Sequence, residues 1–598
     1  MLKKLPLAVA VLSAASAATA VEFSAGPING QFNTSLSYGV AWRTEDPYLR
    51  TVAPNNSLGI DGTASTSNYD DGTLNFEKGD AYTNVVKGSF DLEFDYEGMV
   101  GAFIRGKAFY DSAIMDTDPQ YKEFSDETKD AAGSGYDLLD AFVWYNFEVG
   151  DIPVSARAGR QVLSWGESTF IRGSINAINP IDASAARKPG VEVKEVLLPV
   201  NLAYTSIGLT DTVTLEGFYQ LQWEKTRADA CGTFFSTVDF AADGCGPVYL
   251  SAASDEKDLQ AAYDAGQAMP IADRLADEQP KNDGQYGFAL RWYSEALGDT
   301  EFGFYHMNIH SRTPVISGIV AGNGSSYPDY KFVYPEDLKM SAVSFNRGTE
   351  SGWSIGGELS LKQDYPVSWN AFEILMAGLQ SDMSLLYQAR VSEYAEANGV
   401  SEDDAKTALS GGVAEGWDYY DIWQAQMTFI KFFDQVMGAS RLNFVSEVGV
   451  AYIQDLPGLD EARYGRSGAF GIGTVPQADG TDLCSLETNS LKNANAENCT
   501  NDGYTDEWSG GIRLRTILEY PNAFAGVNLK PVLALGYDMG TSYQPGPFVD
   551  QRVSASLGLD FDYLNQYSGG ISYTMYDGTE YDELKDRDNV SLNLKVSF

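Results

Sequence analysis

The sequence predicts an all-β protein, a transmembrane antiparallel β-barrel of about 18 strands with short periplasmic turns and long extracellular loops. Three observations support this prediction. Apolar and polar residues alternate along many segments, no apolar run is long enough for a membrane-spanning helix, and short connections between the segments alternate with long ones.

Residues 1–20 have the pattern of a secretory signal peptide. Two lysines precede an apolar run, and a small-residue cleavage motif ends at Ala20. We therefore expect the mature chain, residues 21–598, to be a single β-barrel domain in the bacterial outer membrane.

Composition restricts the class of protein further. A formal net charge of -42 argues against binding to nucleic acid, which requires clustered Lys and Arg. No later segment supplies the roughly 18 apolar residues of a spanning helix. The 59 Gly, 35 Tyr and 30 Phe suit half-polar strands whose membrane rims carry aromatic residues.

The strands alternate with period two, as one face in lipid and one face in a wet lumen require. In the segment 553–563, Leu557, Leu559 and Phe561 are expected to face lipid, whereas Asp560 and Asp562 face the lumen. The terminal segment repeats this pattern, with Leu592 and Leu594 opposite Asn593, and its aromatic last residue, Phe598, resembles the signal that the barrel-assembly machinery reads. Strands are expected near 32–43, 82–96, 99–110, 136–149, 153–164, 200–208, 212–225, 284–293, 301–310, 339–347, 352–362, 421–434, 440–453, 508–520, 526–540, 550–563, 566–577 and 589–598.

The third long connection, residues 165–199, differs from the other loops because it mixes basic and acidic residues with Trp and Ile. Such a composition suits burial, so we predict that this segment folds into the lumen as a constriction. An ordered outer loop is the alternative. The predicted constriction and lumen-lining residues are Trp165, Glu167, Arg172, Asn176, Asn179, Asp182, Arg187, Lys188, Glu216, His306 and His310.

Several motifs of this chain resemble the domain-of-unknown-function 1302 family of Gram-negative bacteria. They are GRQVLSWGES, INAINPIDASAARKPGVEVKEVLLPV, LEGFYQLQWEKT and the C-terminal KDRDNVSLNLKVSF. The resemblance covers nearly the whole mature chain. It implies an outer-membrane location, and a setting with a periplasmic partner and an inner-membrane exporter or with catabolism of hydrophobic compounds.

The sixth long loop, residues 363–420, is expected to be partly helical. Phe372, Leu375, Met376 and Leu379 follow helical spacing and form an apolar stripe. This stripe either packs on adjacent loops, which we favour, or catches an apolar ligand at the barrel mouth.

The four cysteines fall into two local pairs. Cys231 and Cys245 share one long loop, and Cys484 and Cys499 share another, so two local disulfides are predicted. The oxidising compartment outside the inner membrane permits them.

No catalytic, cofactor or metal site is predicted, and the chain is not expected to be an enzyme. His306 and His310 are interpreted as lumen lining, on the assumption that Tyr305 faces lipid. Asp70, Asp71 and Asp80 lack EF-hand spacing. We interpret them as part of a solvated acidic loop that divalent cations bridge to lipopolysaccharide. The three acids lie within residues 61–80, and the two histidines lie within residues 301–310.

The sequence thus favours an outer-membrane channel for hydrophobic or amphipathic small organic molecules, which works passively or with periplasmic and inner-membrane partners. A general hydrophilic diffusion porin is the alternative. An outer-membrane lipid or ester hydrolase that uses one of the two histidines is the third hypothesis.

Overall fold

The computed structural model describes residues 21–55, 57–250, 255–267, 270–322, 325–476, 479–486 and 492–598. The predicted signal peptide, residues 1–20, lies outside these described residues.

Within the described residues, eighteen antiparallel strands form one closed barrel, as predicted, and their bounds lie within six residues of the predicted ones. Only β1, β9, β10, β13, β14 and β17 are not staves of the barrel. In chain order the strands are β1 (Val21–Ala25), β2 (Ile28–Arg43), β3 (Ala81–Tyr96), β4 (Val100–Asp111), β5 (Ser134–Val149), β6 (Ile152–Gln161), β7 (Val200–Thr210), β8 (Val213–Gln220), β9 (Val248–Tyr249), β10 (Ile271–Ala272), β11 (Tyr286–Ser294), β12 (Thr300–Ile309), β13 (Val315–Ile319), β14 (Asp329–Val333), β15 (Leu338–Gly348), β16 (Trp353–Ser368), β17 (Val413–Glu415), β18 (Trp417–Asp434), β19 (Arg441–Ile453), β20 (Trp508–Phe524), β21 (Val527–Met539), β22 (Val553–Tyr563), β23 (Tyr567–Asp577) and β24 (Asn589–Ser597).

The barrel closes between its first and last staves. β24 pairs with β2 from Ser597 opposite Ser35 to Asn589 opposite Arg43. Beyond β24, Phe598 donates a backbone hydrogen bond to the Thr34 carbonyl at 2.8 Å and accepts one from the Thr34 amide at 3.0 Å. The seam therefore satisfies its backbone groups, as a membrane requires.

The two faces of the staves differ in polarity. On β22, Leu557 is 66% exposed and Leu559 42% exposed on the outer face. On the inner face Ser556 accepts a hydrogen bond from Thr574 at 3.0 Å, and Asp562 pairs with Lys530 at 2.6 Å. An apolar outside around a polar inside is the pattern of a barrel that spans a membrane. Of the described helices, none is long and apolar enough to cross a bilayer.

Replacing Leu557 by Arg should destabilise the folded barrel by roughly 2–4 kcal/mol, because a charge would be placed on the lipid face. Urea-dependent folding into liposomes measures this loss. Ser556→Arg, one residue away on the inner face, is the matched control and should cost much less. Equal losses for the two variants would reverse the assignment of the faces.

The long connections carry the remaining elements. β16 and β18 are longer than predicted, so the sixth long loop shortens to residues 369–416, but it is helical as expected. Its β17 joins β13 and β14 in a small three-stranded sheet above the barrel. The short α-helices are Asp71–Leu74, Ser112–Met115, Asp126–Thr128, Ala183–Ala186, Val193–Val196 and Glu256–Asp264, and those of the sixth loop are Ala371–Gly378, Leu385–Asn398 and Glu402–Leu409.

The apolar stripe of the sixth loop packs on its neighbours. Met376 is buried in a cluster with Ile472 and Cys484 of the seventh long loop. Phe372 and Leu375 line a small cavity of about 110 Å³. Packing against an adjacent loop therefore accounts for Met376, whereas Phe372 and Leu375 are half-buried beside the small cavity.

Both predicted disulfides are present. Cys231 bonds to Cys245 and Cys484 bonds to Cys499, each with a Cα–Cα distance of 5.7 Å. Each bridge closes a short loop in the part of the protein that lies outside the barrel wall. By loop entropy alone, each stabilises the fold by about 3 kcal/mol.

The first long loop differs from the solvated acidic loop expected from the sequence. Asp70 and Asp71 are each 1% exposed, because the fourth long loop, which holds the first disulfide, packs over them. Asp80 is exposed and lies apart, where its carboxylate accepts the Glu77 amide at 2.8 Å. The three acids therefore do not form one cluster.

Candidate functional site

The segment 165–199 crosses the interior of the barrel. Near its start, the Glu167 amide donates to Glu358 of β16 at 2.6 Å. Near its end, Glu195 pairs with Lys87 of β3 at 2.6 Å. In the order of strands around the barrel, β3 and β16 are nine staves apart among eighteen, which places them on opposite walls. A segment that reaches both must pass through the lumen.

Three wall glutamates hold the first part of this segment. Glu216 accepts the Trp165 indole N–H at 2.8 Å, and Glu358 accepts the Glu167 amide. Glu447 of β19 accepts three successive backbone amides, those of Thr169, Phe170 and Ile171, at 2.9, 2.5 and 2.7 Å. These three residues directly follow Ser168 in the chain. Because a buried N–H without an acceptor is costly, these carboxylates fix the path of the chain.

The apolar residues of the segment pack against the barrel wall. Trp165, Ile175 and Ile178 are at most 1% exposed and contact wall residues that include Phe218 and Met307. The sequence analysis predicted Trp165 as a residue that lines the lumen. The structure instead buries Trp165 against the barrel wall, where its ring lies at a tilted angle 5.2 Å from that of Phe218 and its N–H donates to Glu216.

A cavity of about 1280 Å³ lies beside the segment, between it and the extracellular loops. Five of the predicted site residues line it, and these are Arg172, Asn176, Asn179, Arg187 and His310. Its walls also carry Trp223, Tyr334, Tyr365, Trp369, Tyr543 and Phe548. The cavity is therefore lined by both aromatic rings and charged groups, a combination that suits an organic solute with a polar end.

Five basic residues that line this cavity have no ion pair among the described residues, and Arg172 and Lys362 are two of them; the others are Arg312, Lys339 and Arg466. Arg172 donates to the Gly546 carbonyl at 3.2 Å. Lys362 of β16 donates to the Tyr543 hydroxyl at 2.5 Å, and its Nζ lies 4.6 Å from the Tyr365 ring centroid and 4.8 Å from that of Tyr543. Within a chain of 83 acidic and 41 basic residues, unpaired cations in a cavity stand out as an anion-attracting group.

Other predicted site residues serve the structure of the segment itself. Lys188 is buried, lies 3.8 Å from the Phe109 ring centroid and donates to the Ala132 carbonyl at 2.8 Å. Burial lowers the pKa of this lysine to about 8. Asp182 caps the short helix that follows it by accepting the Ala185 amide, and Glu167 accepts from the Asn346 side chain. None of these three lines the described cavity.

Glu216 forms no ion pair with Arg172, Arg187 or Lys188. It pairs with Arg291 of the neighbouring strand at 2.7 Å, and Arg187 pairs with Asp229 at 3.4 Å.

The two histidines lie in different places. Tyr305 and Met307 face inward and pack on Trp165, so His306 faces outward, beside the exposed Phe304. Its Nδ1 lies 3.0 Å from Ser341 Oγ. The prediction that His306 lines the lumen is therefore wrong, since the alternation on β12 runs the opposite way.

His310 comes after the end of β12 and is buried. Its Nε2 lies 2.9 Å from the Asp283 carbonyl, and its Nδ1 accepts the Asp337 amide at 3.0 Å. Both ring nitrogens are thus engaged with backbone groups. This histidine holds two loop segments together at the cavity edge.

Sequence reasoning missed Glu358, Glu447, Lys362 and Tyr543. The two glutamates occupy the polar row of predicted strands, so the sequence indicated an inward direction but no partner. Lys362 lies at the end of a predicted strand, and Tyr543 lies in a connection where no sequence pattern indicated a functional role. Their common role appears only when residues about 180 or more positions apart meet, as Lys362 and Tyr543 do at a separation of 181.

Comparison with solved structures finds matches of low sequence identity. OccAB3 of Acinetobacter baumannii is 9% identical with a TM-score of 0.41, and the match covers 95% of this chain and 99% of that one. OccAB2 of the same organism is 10% identical with a TM-score of 0.39, over 95% and 98% of the two chains. OpdK of Pseudomonas aeruginosa, solved with vanillate, is 10% identical with a TM-score of 0.37, over 95% and 98%.

No curated protein matches the chain at a significant level. The family model described as "Protein of unknown function (DUF1302)" matches residues 1–598, the whole chain. The sequence motifs in and around the inward segment had pointed to the same family. The chain belongs to the DUF1302 family.

Proposed function

We propose that the protein is a channel of the bacterial outer membrane for amphipathic small organic molecules, and that the segment 165–199 is its constriction. The observation that carries the proposal is a closed barrel whose interior is crossed by a pinned segment, next to a cavity lined by aromatic rings and unpaired cations. Pore lining of this kind sets the selectivity of a channel.

The chemistry of the cavity favours solutes that carry a negative charge on an apolar body. Arg172 and Lys362 supply the positive charge, and Tyr365 and Tyr543 supply ring faces beside it. A neutral polar solute would gain little from such a lining. An organic acid would interact with the cations and the rings together.

The location follows from the fold and from the environment that the fold needs. A barrel with an apolar outside is expected to contact outer-membrane lipid and lipopolysaccharide, and to be inserted by the barrel-assembly machinery. A periplasmic partner and an inner-membrane exporter remain part of the proposal because the family resemblance implies them.

The double variant Arg172→Gln/Lys362→Gln should reduce passage of an aromatic carboxylate severalfold and leave passage of the corresponding neutral amide unchanged. The reason is that only the acid interacts with the two cations. Solute flux into liposomes containing the purified barrel, together with the reversal potential in planar bilayers, measures both effects.

Lys78→Gln is the control, because Lys78 is an exposed lysine of the first long loop that pairs with Asp46 at 3.2 Å. It should alter neither flux. Equal passage of acid and amide through the parent barrel would favour the general hydrophilic porin instead. Absence of any conductance in a folded barrel would remove both channel hypotheses.

The hydrolase hypothesis has little support in the geometry of the histidines. His310 uses both ring nitrogens on backbone groups, and His306 lies on the outer face. We therefore keep the channel as the proposed function.

A further inference from the structure

A cluster of three buried aspartates lies outside the barrel, where the first and fourth long loops meet. Asp70, Asp71 and Asp239 are 1%, 1% and 4% exposed, and each offers a carboxylate oxygen within 4.8 Å of the other two. Asp70 and Asp71 belong to the first long loop. Asp239 belongs to the fourth, inside the loop closed by the Cys231–Cys245 disulfide. Three buried carboxylates from two loops therefore converge.

Each of these carboxylates has one oxygen held by the protein and one left over. Asp70 Oδ2 accepts the Ala53 amide at 2.9 Å, and Asp239 Oδ2 accepts the Asp71 amide at 3.1 Å. Asp71 Oδ2 contacts Lys122 Nζ at 2.7 Å. The Oδ1 atom of all three is buried, and no donor among the described residues reaches it. Buried polar atoms are rarely left in this state without a ligand.

The charges of the cluster are not balanced by the described side chains. Lys122 bridges Asp71 and Glu256, the latter at 2.8 Å, and it is the cation in contact with them. Glu256 is itself 6% exposed and keeps Oε1 without a described donor. Four buried carboxylates thus share one ammonium group. Buried charges of one sign are normally paired or bound to a metal ion.

We propose that Asp70, Asp71 and Asp239 bind one Ca²⁺ ion. Ca²⁺ takes oxygen ligands at about 2.3–2.6 Å, so two ligands on opposite sides of the ion are roughly 4.6–5.2 Å apart. The three oxygens all lie within 4.8 Å of one another, so one ion can contact all three. Mg²⁺, with bonds of about 2.0–2.1 Å and a strict octahedron, usually keeps several waters and binds only one or two carboxylates, so three buried carboxylates suit Ca²⁺ better.

The ion would tie two extracellular loops to each other beside the proposed entrance. Tyr69 and Phe240 are the chain neighbours of Asp70 and Asp239, and their rings meet edge to face at 5.6 Å. Both rings line the cavity described above. Bound Ca²⁺ therefore holds the outer wall of that cavity in place, while the binding site itself does not depend on the transport function.

The test uses the full mature chain, folded into detergent from denatured protein so that no lipopolysaccharide brings divalent ions with it. After treatment with EDTA, CaCl₂ is titrated at constant ionic strength in a calorimeter, and thermal unfolding is followed with and without CaCl₂. We expect one saturable Ca²⁺ per chain, a higher unfolding temperature with Ca²⁺, and at least tenfold weaker binding of Mg²⁺.

The double variant Asp70→Asn/Asp239→Asn should lose at least tenfold in Ca²⁺ affinity and lose the thermal shift. In EDTA it should unfold at the same temperature as the parent or higher, because two repelling charges are gone. Asp61→Asn/Asp118→Asn removes the same charge from exposed positions of the first and second long loops and should bind like the parent.

Two results would overturn the proposal. One is a parent chain without saturable Ca²⁺ binding, which decides the matter even if the variant fails to fold. The other is a folded Asp70→Asn/Asp239→Asn variant that binds Ca²⁺ as the parent does, since the ion would then lie elsewhere.

Discussion

Deleting residues 174–186 should raise single-channel conductance severalfold and reduce the discrimination between organic acids and neutral solutes. These residues lie in the segment that crosses the lumen, and they carry Asn176 and Asn179, which line the cavity. Removing them should widen the proposed constriction, and the conductance of a pore rises with its open cross-section. Planar-bilayer recording of the purified barrel measures both quantities.

Deleting residues 392–404 is the matched control, because it also removes thirteen residues and they are almost all exposed in the sixth long loop. None of them lines the described cavity. This deletion should leave conductance and selectivity unchanged. If the folded barrel conducts equally with and without residues 174–186, the segment does not limit the pore, and the proposed constriction is wrong.

The barrel itself was predictable because the membrane imposes a simple local rule on each strand. Alternation with period two is visible within about ten residues, and connections of alternating length separate the strands. The lipid-facing and lumen-facing residues of β22 and β24 could therefore be predicted from the sequence. The two disulfides were predictable for a similar reason. Their cysteines are 14 and 15 positions apart, and local pairing needs no knowledge of the fold.

The same rule failed on β12, and the cause is tertiary. Phe302 and Phe304 on one face alternate with Tyr305 and Met307 on the other, so both faces of this strand are apolar. The inward face is apolar because Trp165 of the crossing segment packs on it. Assigning faces from alternation requires that the lumen-facing residues contact water. This part of the lumen is filled by protein, so the assignment on β12 was reversed.

The candidate site depended on contacts between distant positions, which local patterns do not contain. Arg172 was identified from the sequence, but its companion Lys362 was not, because nothing local distinguishes that lysine from other strand-end lysines. The cluster of buried acids also depends on contacts between distant positions. Asp70 and Asp71 were noticed as neighbours, but only the fold brings Asp239 to them, from a loop 168 positions away from Asp71.

Replacing Glu447 by Ala should release the start of the crossing segment without unfolding the barrel. Its carboxylate is fully buried and is the acceptor for the amides of Thr169, Phe170 and Ile171. Ile171 is 3% exposed, and a buried amide left without an acceptor costs about 1–3 kcal/mol. Movement toward water therefore lowers the free energy of the segment, because water can accept from the unpaired amides. This movement should appear as fluctuating open-channel current and as new proteolytic cleavage within residues 165–199.

Glu519→Ala is the control for this prediction, because Glu519 is a glutamate on the adjacent strand β20 whose side chain accepts from Asn443 at 2.8 Å. No described hydrogen bond joins it to the crossing segment, so the current should stay as steady as in the parent. The thermal unfolding of both variants should remain close to that of the parent, since the barrel's backbone ladder is intact in each. A steady current and an unchanged cleavage pattern in Glu447→Ala would mean that Glu216 and Glu358 suffice to hold the segment, whereas cleavage in both variants would point to a general loosening of the wall.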